Sequence, residues 1–246
     1  MPSLLLRSHF AGVIVTLIVL LSSGCIAQTQ PVTTPGIVQR VMRLDGIDYP
    51  YVVFAPSTYN ASMALPSVLL VHGAGGNGVE ILQYWRDLAE AKGIILIAPT
   101  LDLSAEAETQ VPIVFPKLMQ AAQREWTIDP TRRFLFGYSA GGYFAYDAAL
   151  LSANTFAGAA IFASVIQPAY DEIARQASRK TSIAIYLGDH DQYFTLAQGR
   201  RTRDLLTANG VDVHYVELSG HDHQYGAVAN FVNTDAWQYL TSRVGR

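Results

Sequence analysis

Beyond a polar stretch near residue 36, apolar and polar positions alternate in a repeating order. Residues 37–44 and 49–55 are two β-prone runs separated by Asp45-Gly46-Ile47-Asp48, and Asp-Gly between such runs predicts a hairpin. Continuous apolar runs follow at 67–72, 94–99, 133–138, 156–163, 182–187 and 211–218. Between them lie segments with apolar residues at helical spacing, as at Ile81, Leu82, Trp85, Leu88 and Ala89 within 79–92. Further helices are expected over 111–126, 143–151 and 195–209, a short one at most over 168–176, and a last one over 234–243. Residues 101–110 read as an acidic loop. Buried strands alternating with amphipathic helices predict an α/β domain. It has a mostly parallel twisted sheet, helices on both faces and an antiparallel N-terminal hairpin. About 210 residues without an internal linker fit one domain, 37–246.

The chain begins differently. Arg7 and His9 precede an apolar run from Phe10 to Leu21, then Ser22-Ser23-Gly24-Cys25. That order predicts an export signal over residues 1–27, too short in its apolar part for a spanning helix. Ser-Ser-Gly-Cys resembles a bacterial lipobox, with Ser22 where leucine is commonest. The expectation is cleavage before Cys25 and membrane attachment through lipid on that cysteine, with ordinary cleavage near Ala27 as the alternative. Residues 28–36 read as a tether, and the domain as periplasmic, envelope-attached or secreted.

Composition narrows the chemistry. The net charge is −3 with no basic run, which sets nucleic acid aside. A single cysteine excludes an internal disulfide framework and a cysteine zinc site.

In a parallel sheet, function gathers at the carboxyl ends of the strands. Four such ends carry chemistry. Gly137-Tyr138-Ser139-Ala140-Gly141 lies between an apolar strand and a helix, a turn that would hold Ser139 strained and exposed over a helix N-terminus. His72-Gly73-Ala74-Gly75-Gly76 also follows a strand, and the Ala74 and Ala140 amides are candidate donors to an oxyanion. Without the Lys-Ser/Thr of a phosphate loop, this turn does not read as a nucleotide site. Gly188-Asp189-His190-Asp191 offers a carboxylate to orient an imidazole; Asp191 is favoured over Asp189 by reach. Gly220-His221-Asp222-His223 offers the imidazole; His221 is the expected base for Ser139, with His223 its rival. The histidines and Asp189, Asp191 and Asp222 could instead ligate a metal, but that leaves the serine turn unexplained, so no metal and no cofactor are expected.

These pieces resemble the α/β-hydrolase superfamily over about residues 37–243. More narrowly they resemble secreted esterases of the polyhydroxybutyrate depolymerase and feruloyl esterase branch, whose members often carry disulfides that this chain lacks. The resemblance implies an α/β-hydrolase fold and Ser139 as nucleophile, Asp191 as acid, His221 as base, and Ala74 and Ala140 at the oxyanion. The expected reaction is hydrolysis of a small or polymeric carboxylic ester. A serine peptidase or a non-catalytic tethered binding protein on the same fold are the alternatives. Only residues 164–181 separate two strands, so an open cleft is expected, with Tyr138, Tyr170, Tyr193, Phe194 and Tyr225 as candidate aromatic lining.

Overall fold

The computed structural model describes residues 35–103, 111–152, 154–177 and 181–245. The export signal, Cys25 and most of the tether lie outside the described residues, as does most of the acidic loop.

Among the described residues eight strands form one sheet: β1 (Gly36–Leu44), β2 (Ile47–Ala55), β3 (Leu65–Val71), β4 (Ile95–Pro99), β5 (Ile128–Tyr138), β6 (Gly158–Phe162), β7 (Ser182–Gly188) and β8 (Val213–Leu218). Their order is β1-β2-β4-β3-β5-β6-β7-β8. β1 and β2 pair antiparallel, as do β2 and β4. Every pairing from β4 through β8 is parallel. The hairpin turns at Asp45 and Gly46, both with positive φ (50° and 83°), which matches the twist of the strands it joins.

Among the described residues six α-helices cover the sheet: α1 (Gly78–Lys92), α2 (Val111–Gln123), α3 (Ala140–Leu151), α4 (Asp171–Gln176), α5 (Leu196–Ala208) and α6 (Ala229–Thr241). The strand period of two divides the core between the faces. Val68, Leu70, Phe134, Phe136, Phe162 and Tyr186 point to one side, where they meet Ile81, Leu82 and Trp85 of α1 and Val232 and Ala236 of α6. Leu69, Val71, Leu135, Ile161 and Ile185 point to the other, where Val114, Phe115 and Leu118 of α2 and Ala145, Ala148 and Ala149 of α3 cover them.

Local signals set the helix ends. The Asn77 side chain accepts from the Glu80 N–H at 3.0 Å, and Gly93 closes α1 at φ 69°. α5 opens with a reciprocal Thr195–Gln198 capping box. Pro116 sits inside α2 and has no N–H for the Pro112 carbonyl; the Ser152 hydroxyl donates to that oxygen instead, at 3.2 Å.

Three elements start three or more residues before the sequence expectation. β5 begins at Ile128 rather than Arg133, because Leu65 pairs with Ile128 before the ladder slips across Pro130. α6 begins at Ala229 rather than Thr234; its start is set by the turn Tyr225–Val228 and carries no side-chain cap. α3 begins at Ala140, directly behind Ser139.

The β5–α3 junction is closely packed. A Cβ on Gly137 would lie 2.5 Å from the Gly141 carbonyl oxygen and 2.6 Å from Ala145 Cβ. Both are backbone or helix-fixed atoms that cannot swing away. Gly137→Ala is therefore expected to destabilise the protein by about 3 kcal/mol, the upper range for overpacking. Urea denaturation checks this, with a normal midpoint as the contrary result.

Candidate active site

Ser139 stands between β5 and α3 with φ 53° and ψ −118°, a conformation that a residue with a Cβ rarely adopts. Two contacts hold it there. Its N–H donates to the Phe162 carbonyl at 3.0 Å, and its carbonyl accepts from Gly142 N–H at 2.8 Å. Gly141 passes so close to the Val71 and His72 carbonyls that a Cβ there would collide with both. The strained turn is thus clamped between β3 and β6, and the hydroxyl is carried above the sheet edge.

The imidazole beside that hydroxyl belongs to His223. Its Nε2 lies 2.8 Å from Ser139 Oγ, and its Nδ1 lies 2.7 Å from Asp191 Oδ2. A carboxylate has no proton to give, so Nδ1–H donates to Asp191 and Nε2 accepts from the serine hydroxyl. The Asp191 side chain is fully buried and that of His223 is 8% exposed. The second carboxylate oxygen, Oδ1, accepts from the Tyr193 and Phe194 N–H groups at 2.8 and 2.9 Å. Asp191 is therefore fixed by three hydrogen bonds, only one of which goes to the imidazole.

The expectation of His221 in this position is corrected. His221 contributes its main chain: its carbonyl accepts from His190 N–H at 2.9 Å and packs directly over Gly188. Asp189, the other carboxylate considered, accepts from Gly220 N–H at 2.7 Å and pins the start of the same loop. Asp189 N–H also donates to Leu218 O at 3.1 Å. The loops after β7 and β8 are stitched together through their backbones at 188–190 and 218–221. The chain then turns inward, and the ring that reaches Ser139 comes two residues later. Asp222 is spent locally, accepting from Gln224 N–H at 2.8 Å. Among the described residues, no group of three or more His, Cys, Asp or Glu side chains is placed to share a metal ion.

On the other side of Ser139 lies the glycine turn after β3. His72, at its base, went unused in the sequence reading. Its Nδ1 lies 2.7 Å from the Gly73 carbonyl, and its Nε2 accepts from Leu101 N–H at 3.0 Å. Since a carbonyl only accepts, the ring is neutral with its proton on Nδ1. Burial holds its pKa below the ordinary imidazole value. His72 thus ties the turn carrying Ala74 to the end of β4. Ala140 is the first residue of α3, where an N–H has no intrahelical acceptor.

The five aromatic candidates separate. Tyr138 lines the cleft beside the glycine turn, and its hydroxyl donates to the His223 carbonyl at 3.2 Å. Tyr193 is 71% exposed and packs edge-on against the His223 ring at a centroid distance of 4.6 Å. Phe194 is buried against Val165 and Leu187, with the His223 ring 6.0 Å away. Tyr225 does not line a cleft. It is buried against Phe136 and Phe162, and its hydroxyl is bonded to Asn233. Its position near the sheet top hid the fact that it points down into the core. Tyr170 sits in a single tight turn, Pro168–Tyr170, beside Tyr143, Tyr146 and Ile173. Tyr84 was missed: it is half-exposed and lines the same cleft as Tyr138, four residues beyond Glu80 on α1.

A strained serine over a helix N-terminus, an imidazole at its hydroxyl and a buried carboxylate behind the ring define the site of an α/β-hydrolase. Residues 47–239 match the model of the dienelactone hydrolase family, and the chain belongs to that family. It is 30% identical over 114 residues to a bifunctional acetylxylan esterase/xylanase, XynS20E, of Neocallimastix patriciarum, a match spanning 43% of this chain and 16% of that longer protein. Solved structures with the same fold include a thermostable esterase (TM-score 0.68, 21% identity, 84% of this chain and 63% of that one). Another is FphF, a fluorophosphonate-binding serine hydrolase of Staphylococcus aureus (TM-score 0.68, 17% identity, 86% and 99%).

Two outcomes follow from these contacts. A Cβ on Gly188 would overlap the His221 carbonyl, so Gly188→Ala should push apart the loops that carry Asp191 and His223. It is expected to cost about 1–3 kcal/mol in stability and to lower reactivity at Ser139 more than a distant substitution of equal cost. Thermal melting and covalent labelling of Ser139, read together, check this. His72 gives a pH dependence. Its pKa is lowered in the native state, so the unfolded chain binds the extra proton first as pH falls. Its contribution is complete above the ordinary imidazole value of 6.5 and declines as pH falls from there towards the depressed native value. In His72→Gln, denaturant midpoints should fall less steeply between about pH 5 and 6.5 than in the wild type. Parallel slopes would count against it.

Proposed function

We propose that the protein hydrolyses carboxylic esters through an acyl-enzyme on Ser139, with His223 as general base and acid and Asp191 holding the imidazole. The single observation that carries this reading is the continuous path Ser139 Oγ–Nε2 and Nδ1–Asp191, with distances of 2.8 and 2.7 Å. Family membership and esterase neighbours support the same reaction class.

As Oγ attacks the ester carbonyl, its proton passes to His223 Nε2. The imidazolium is stabilised by Asp191, whose two backbone donors keep its second oxygen from turning away. The charge that develops on the carbonyl oxygen is met by the Ala74 and Ala140 amides. A preorganised donor of this kind is worth roughly 3–4 kcal/mol in a comparable hydrolase. His223 then gives its proton to the departing alcohol. Water, activated by the same nitrogen, attacks the acyl-enzyme and restores Ser139.

Within this reading, polyester and feruloyl substrates are the finer proposal, carried by the sequence resemblance. Export, with lipid attached at Cys25, is a further one, carried by the apolar run Phe10–Leu21 and the Ser-Ser-Gly-Cys that follows.

Ser139→Ala and His223→Ala should each reduce kcat on a p-nitrophenyl ester by about 10⁴-fold or more while the fold is retained. His221→Ala should stay within about tenfold of wild type, because its ring stands outside the path. A dead His221→Ala beside an active His223→Ala would overturn the assignment. A chromogenic peptide run in parallel separates esterase from peptidase, and feruloyl and hydroxybutyrate oligomers grade the substrate. A fluorophosphonate that fails to label Ser139 would favour a non-catalytic binding protein. For export, labelled fatty acid should appear on the wild-type protein and be absent from Cys25→Ala; equal processing of the two would remove the lipid proposal.

A further inference from the structure

Beside Ser139 is a cleft of about 310 Å³ whose floor is the glycine turn 73–76. Its walls are the rings of Tyr84 and Tyr138, and among the described residues the one charged side chain in its lining is Glu80. Both tyrosine rings lean on the buried Tyr225, with centroids 5.1 and 5.6 Å from it, so they are held in place before anything binds. Glu80 and Tyr84 are four residues apart on α1 and therefore share a face. Glu80 uses its own N–H to complete the Asn77 cap, which fixes where its side chain leaves the helix. Asp191 and Asp222 stand near enough to Tyr138 to raise its pKa, behind desolvation as the larger cause. Among the described residues, no lysine or arginine lines the cleft.

Preordered aromatic faces with an acidic group at the rim are what a weakly hydrated organic cation recognises. The ring faces attract it, the carboxylate adds Coulomb attraction, and no strong hydrogen bonds are demanded. We propose that this cleft is a subsite for an alkylammonium group, so that the preferred ester carries a quaternary or tertiary ammonium a few bonds from the scissile carbonyl. The inference rests on the ester-hydrolase reading of Ser139. It adds the charge class of the substrate and the residues that select it. Tyr138 ties the subsite to the histidine loop: its hydroxyl donates to the His223 carbonyl while its ring lines the cleft, so the bound group sits over the glycine turn beside Ser139. An anionic ester would meet Glu80 and be rejected.

The test compares esters of equal shape. Acetylcholine and 3,3-dimethylbutyl acetate place the cation, or its neutral isostere, in the alcohol. The ethyl esters of 4-(trimethylammonio)butanoate and 5,5-dimethylhexanoate place it in the acyl part. In at least one pair, kcat/KM should favour the cation by roughly fivefold or more. That preference should shrink several-fold in Glu80→Gln and in Tyr84→Ala, and also in 1 M salt. Tetramethylammonium should inhibit neutral-ester hydrolysis competitively, and should bind Ser139→Ala in calorimetry, a readout that needs no turnover. Neutral esters hydrolysed with no cationic preference in either pair would overturn this inference and leave the hydrolase reading standing. Tetramethylammonium bound by Ser139→Ala, with no ester hydrolysed and no label on Ser139 in the wild type, would do the reverse.

Discussion

The imidazole of His223 can bridge Ser139 and Asp191 only because two neighbouring loops are locked together by their main chains. Gly188 lies directly beneath the His221 carbonyl, which accepts from His190 N–H, and Asp189 accepts from Gly220 N–H. These bonds fix the level at which the chain after β8 leaves the sheet. The bridge depends on that level, since a hydrogen bond tolerates a few tenths of an ångström and the ring must satisfy one at each nitrogen. The absence of a side chain at one position in β7 sets the reach of a histidine 35 residues later.

The same economy appears at the serine. The strain in Ser139 is sustained by close backbone packing on both sides, at Gly137 and at Gly141, where side chains would have separated β5 from α3 and α3 from β3. Close approach brings the N-terminus of α3 directly under the hydroxyl, where the helix dipole favours negative charge. His72 performs the corresponding task for the glycine turn, joining the ends of β3 and β4 through a buried neutral ring.

The aromatic residues around the site do different work according to which way each ring points. Tyr225 is core and serves as the anvil on which Tyr84 and Tyr138 are set. Tyr193 and Phe194 flank the imidazole, and their N–H groups rather than their rings hold Asp191. Glu80, a charged residue lining the adjoining cleft, lies in the first turn of α1.

Much of this was legible in the chain itself. Period-two strands and 3.6-period helices determined the α/β architecture, because burying both faces of a sheet leaves few alternatives. Asp-Gly marked the hairpin, and a serine between two glycines after an apolar strand marked the elbow. Asp191 was reachable from the spacing beyond β7. The choice between His221 and His223 was not. Two histidines in His-Asp-His have equal chemistry, and which one faces the serine depends on contacts with Gly188 and His190, 31 to 33 residues away in sequence. Tyr84, Tyr225 and the start of α6 were hidden for the same reason. Whether a ring lines a cleft or fills a core, and where a helix without a capping residue begins, are decided by what packs against them. Periodicity carries which face a residue shares with its neighbours in sequence; only the folded chain decides which distant backbone that face meets.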